Sequence, residues 1–127
     1  MLASTLNGFI SHYGHSAIHI CNMTALPKGR SSTDLEWIEH LRSDPKPWMF
    51  ISADARVLRN PAERAALRSA GLHEFITAKG FQKMPMEQRA AVILRRWPDM
   101  LKITDILSAP TMHEIPVTSP KLKSLPL

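Results

Sequence analysis

Asp54 ends the run Trp48-Met-Phe-Ile-Ser-Ala-Asp54, in which an apolar stretch gives way abruptly to a carboxylate, and a proline-started helix follows at Asn60-Pro61. In open α/β sheets ligands bind in the crevice beyond the carboxyl ends of the strands, so an acid at that point meets solvent, metal or substrate. Asp34 precedes it by one helix-plus-strand unit. In a parallel sheet both carboxylates fall on the same rim. Two acids there would hold Mg2+ or Mn2+, hard cations that take oxygen ligands and share their shell with phosphate. Each acid also has a plainer role open to it: Asp54 as a turn residue bonding nearby amides, and Asp34 as a first-turn acid favoured by the helix dipole.

Lys28 and Arg30 sit before Asp34, and Arg56 and Arg59 follow Asp54. Cations flanking acids in this way would receive a phosphodiester backbone, although a solvated basic surface accounts for the same residues. Sixteen Lys and Arg against eleven Asp and Glu give a formal charge of +5, which suits RNA or DNA as a partner. Cys21 is the single cysteine, which excludes a disulfide framework or a thiolate zinc site within one chain and fits a reducing cytoplasm. His12, His15 and His19 pass from a helix end into a strand, so they read as ordinary histidines rather than a zinc set. Ser52 lies in no G-x-S-x-G elbow, and no apolar run is long enough to span a bilayer. The N-terminus lacks the order of a signal peptide, and a soluble cytoplasmic protein is expected.

The elements that must position these residues follow from periodicity and punctuation. Leu2, Leu6, Phe9 and Ile10 have helical spacing, ended by Gly14. Residues 16–20 read as a short strand, and Pro27 to Ser32 as a basic loop. Thr33-Asp-Leu-Glu36 is a capping box that opens a helix over 34–41, with Glu36 bonding back to the Thr33 amide. A strand over 48–52 follows Pro45-Lys-Pro47. Asn60-Pro61-Ala-Glu63 then supplies an N-cap, a proline at the first helical position and an early acid for a helix over 61–70. Gly71 is placed as its left-handed terminator, and 72–77 reads as another strand. Pro85 opens a helix through Trp97, with Pro98 breaking or kinking it and 101–107 adding turns. Strands alternating with helices predict a three-layer α/β/α sandwich with a short parallel sheet, in one domain over 1–107. Residues 108–127, with four prolines, read as a tail that docks through Ile115, Val117 and Leu122 if it docks at all.

The segments D-L-E-W-I from Asp34, F-I-S-A-D-A-R from Phe50, R-N-P-A-E-R from Arg59, A-G-L from Ala70, F-I-T-A-K-G from Phe75 and R-R-W-P from Arg95 together resemble the PIN-like VapC toxin family over roughly residues 2–100. S-A-D followed by R-N-P-A-E-R is the most specific part. The resemblance implies a divalent-metal-dependent endoribonuclease of a toxin–antitoxin pair, restrained by a cognate antitoxin. It also implies that Asp34 matches the acid at the second helix and Asp54 the acid after the following strand, both as catalytic metal ligands. The family's first acid stands on a strand before the first helix, and this chain is expected to begin after that point and to be inactive if nothing replaces it. No acid directly follows the strand over 72–77. A gap at the central strand would leave an edge for a second copy or another partner to fill.

A receiver-like module of the response-regulator class is the alternative. P-W-M-F-I-S-A-D and A-G-L-H-E-F-I-T-A-K-G-F resemble that family's last two strand ends, which implies Ser52 and Lys79 as its hydroxyl and lysine. The phosphoacceptor would fall near Cys21 and Asn22, where there is no aspartate, so that reading implies only a partner-binding module. A degenerate PIN-like module that binds without cutting is the corresponding non-enzymatic form.

Overall fold

The computed structural model describes residues 2–18, 34–52 and 60–126. Helix α1 (Leu2–Ile10) opens it and passes through a 3-10 turn at Ser11–Tyr13 to Gly14, whose φ of 79° is the left-handed backbone that glycine adopts without strain. Then come α2 (Asp34–Ser43), strand β1 (Met49–Ser52), α3 (Pro61–Ala70), β2 (His73–Thr77), α4 (Met86–Ile106), β3 (Thr111–Ile115) and the short β4 (Lys123–Ser124).

Helix α3 illustrates how local sequence sets these boundaries. The Asn60 side-chain oxygen accepts from the Ala62 and Glu63 amides at 3.0 and 3.2 Å, satisfying two donors that have no partner inside the helix. Pro61 occupies a position where a missing N–H costs nothing, and Gly71 ends the helix at φ 64°. Asn60→Ala should therefore lower stability by about 1 kcal/mol, read as a shift in the urea midpoint at unchanged slope.

The sheet has the order β1-β2-β3-β4, with β1, β2 and β3 parallel and β4 antiparallel. Successive strand residues face opposite sides, and the packing follows that alternation. Met49, Ile51, Phe75 and Ile115 join α1 and α4 in one core through Leu6, Val92, Ile93 and Met100. Phe50, Ile76 and Met112 join α2 and α3 in the other through Ile38 and Leu67. The result is the expected three-layer α/β/α sandwich, with β2 buried on both faces.

Three expectations change. The ordered core does not end at Ser108: residues 111–115 form β3, which pairs with β2 along its whole length, and Met112 and Ile115 are fully buried. The prolines that suggested a tail, Pro110 and Pro116, bracket the strand without entering it, so no ladder donor is lost. Arg96 donates to the Pro120 carbonyl and Arg64 to the Pro126 carbonyl at 3.0 Å, tying the last residues to α4 and α3. Val117 and Leu122 also pack on the core, as the docking expectation proposed. The helix from Met86 continues through Pro98 to Ile106 rather than breaking there. Finally, residues 16–18 have no regular structure, while the remainder of the strand expected over 16–20 lies outside the described residues, as does the Thr33 cap.

Candidate functional site

The connections decide which ends of the elements meet. Only Gly71 and Leu72 join α3 to β2, so the end of α3 lies by the start of β2 and its beginning lies by the opposite rim. Residues 44–48 likewise return α2 to the start of β1. Both helices, ten residues each and so about 15 Å long, therefore begin at the carboxyl ends of the strands. That rim gathers the first residue of α2, Asp34, the Asn60 cap of α3, and the strand ends at Ser52, Thr77 and Ile115.

Asp34 is thus at the rim predicted for it. Asp54, Arg56, Arg59, Lys28 and Arg30 lie outside the described residues. Beyond β2 the rim carries Ala78 and Lys79 instead of an acid: the Ala78 amide donates to the Ile115 carbonyl at 3.0 Å, extending the ladder, and Lys79 is exposed. Thr77 is buried, and its hydroxyl has no hydrogen-bond partner.

The sequence reading missed one acid here. Ser52, Ile76 and Glu114 are aligned across β1, β2 and β3, on the face that α2 and α3 cover. Glu114 is partly exposed, and its cross-strand neighbour on β4 is Lys123. Its signal was the five-residue run T-M-H-E-I between two prolines, with apolar Met112 and Ile115 inside it. Among the described residues no group of three or more His, Cys, Asp or Glu is poised to hold a metal.

Two residues further into the sheet on that same face, Glu74 is 0 % exposed, and among the described residues neither of its carboxyl oxygens has a hydrogen-bond partner. Burial alone pushes its acid up to about 8, because low-polarity surroundings penalise the charged form. The opposite face carries two histidines near the start of the strands. Nδ1 of His73 lies 2.7 Å from the Thr111 hydroxyl, and His113 stacks on Phe75. Burial lowers the pKa of both, and the proximity of His73 lowers His113 further. His73 opens β2, and His113 is the buried middle residue of β3.

The fold is an α/β/α sandwich with Asp34 opening α2 at its carboxyl-end rim, a broad structural class. Within it, a family described as the PIN-like domain matches residues 1–79, more than half of the chain. The protein belongs to the PIN-like domain family. Comparison with curated proteins and with solved structures returned no match. Of the two resemblances read from the sequence, the family assignment supports the PIN-like one, and that family is one of nucleases in general. Among the described residues no helix is long and apolar enough to cross a membrane.

Proposed function

We propose that this chain is a divalent-metal-dependent endoribonuclease, the VapC-type toxin of a toxin–antitoxin pair acting in the cytoplasm. The observation that carries the reading is the start of α2 at Asp34, on the carboxyl-end rim of a PIN-like sheet. Asp34 and Asp54 are the residues that would hold Mg2+ or Mn2+, with Glu114 the further carboxylate of that rim. A bound ion of this kind supplies a more acidic water and offsets charge on the scissile phosphate.

The chain's own residues do the rest. The carboxylates of Asp34 and Asp54 would hold the ion and accept hydrogen bonds from water. Arg56 and Arg59 hold the phosphate through paired N–H donors. Lys28 and Arg30 draw the RNA backbone towards the rim. A cognate antitoxin restrains the enzyme by covering the same rim. Among the described residues β1 and β4 are the edge strands of the sheet, and pairing along β1 would build a homodimer.

Four phosphate-contacting cations give RNA binding a log–log salt slope of about −3, and Arg56→Ala should flatten it by about 0.7. Fluorescence anisotropy of a labelled single strand across a KCl series measures both, and a slope that Arg56→Ala leaves unchanged removes that residue from the contact. The activity itself is tested on end-labelled RNA. Internal cuts with Mn2+ that disappear with a chelator support the proposal, and RNA left intact by folded protein in Mn2+ opposes it.

A further inference from the structure

Glu74 is a group that neither the nuclease reading nor the packing accounts for. A carboxyl that is 0 % exposed, with both oxygens unpartnered, sits in the middle strand of the sheet beneath α2 and α3. In register beside it are Phe50 of β1 and Met112 of β3. The helices above present Trp37 and Ile38 from α2, and Ala66, Leu67 and Ala70 from α3.

Glu39 and Arg42 of α2 bond each other in solvent at 2.5 and 2.8 Å. Arg64 of α3 donates through Nη2 to the Pro126 carbonyl, and its buried Nε has no partner among the described residues. Glu114, two residues along β3 from Met112 on the same face, has Lys123 as its cross-strand neighbour. Of the other ionisable residues of the two helices, Glu36, His40, Glu63 and Arg68 give Glu74 no hydrogen bond, and the Asp34 side chain lies outside the described ones. A proton on Glu74 costs this layer little, whereas a bare carboxylate there has no hydrogen-bond donor among the described residues. Admitting water would satisfy the carboxylate, and lifting a helix would admit it.

We propose that Glu74 is a proton-operated latch: its neutral acid lets α2 and α3 close on the sheet, and its ionisation loosens that layer, including the Asp34 end of α2. The α1/α4 core on the opposite face is a separate cluster and stays closed. The latch does not depend on the nuclease reading.

The sign follows from linkage. With the layer closed Glu74 loses its proton at about 8, against 4.5 for an exposed glutamate. The closed state is therefore most favoured below the ordinary carboxylate range. It weakens as pH rises towards 8, by about tenfold in the opening equilibrium per pH unit, and levels off above.

Hydrogen exchange of the full chain, corrected for intrinsic rates and followed from pH 5 to 9, tests this. The amides of α2 and α3 should lose about tenfold of protection per pH unit up to about 8, relative to those of α4. Glu74→Gln should remove the slope, as should Glu74→Leu. Parallel exchange of all three helices in the native protein, or a slope that survives in Glu74→Gln, overturns the latch. Should both variants fail to fold, the Glu74 carboxyl carbon resonance of the native protein decides: a midpoint near 8 supports the latch, and one in the ordinary carboxylate range overturns it.

Discussion

Ending the chain after Leu107 is expected to abolish cooperative folding. The truncation removes β3, the strand that pairs with β2 at every position from His73 to Thr77. It takes Met112 out of the α2/α3 core and Ile115 out of the α1/α4 core, both at full burial. Losing a buried Ile or Met side chain costs about 2–5 kcal/mol, so these two alone consume much of the roughly 5–15 kcal/mol that holds a domain together. The loss also strips one edge of β2 of its ladder partners, leaving buried backbone groups unpaired. Circular dichroism and thermal melting of residues 1–107 measure the outcome. A cooperative transition close to that of the full chain would mean that β3 is an accessory strand. Ile115→Ala is the graded version, with an expected loss of about 2–5 kcal/mol.

Asp54→Asn is expected to reduce RNA cleavage by about a thousandfold while leaving the melting transition in place. The asparagine keeps the shape of the side chain but removes the charge on which a hard cation depends. Metal-ion catalysis contributes several kcal/mol of transition-state stabilisation, and about 4 kcal/mol corresponds to that factor. Asp34→Asn should act in the same direction. A variant that cuts RNA at the native rate would take Asp54 out of the chemistry and return it to the role of a turn residue.

The parts of the fold that were legible were those with local chemistry behind them. Asn60-Pro61 and Gly71 marked both ends of α3 because each satisfies or frees backbone groups at a fixed position, whatever surrounds it. The apolar run before Asp54 revealed β1 because strands covered on both faces are nearly continuously apolar, and Gly71 followed by Leu72, Phe75 and Ile76 revealed β2. The third strand was hidden by composition. Thr111–Ile115 is short, carries a histidine and a glutamate, and is flanked by prolines, so nothing local distinguishes it from a linker. Its partner β2 is 38 residues away by sequence, and only the tertiary pairing identifies it.

Glu74 was obscured for the converse reason. In a strand H-E-F-I-T an alternating glutamate suggests a solvated face, yet helices cover both sides of this sheet and bury it. Glu114 went unseen with the strand that carries it. Asp34, by contrast, was placed at the rim by a simple argument: a helix that returns to the start of a parallel strand must itself begin at the carboxyl end.

The proposed function rests on Asp34 and Asp54 holding a divalent ion. Isothermal titration of Mn2+ into the purified full chain, with Asp54→Asn run in parallel and circular dichroism establishing that both are folded, tests it most directly. Saturable binding by the native protein that is lost in Asp54→Asn is the predicted result. No binding by the folded native protein, or equal binding by Asp54→Asn, would contradict it.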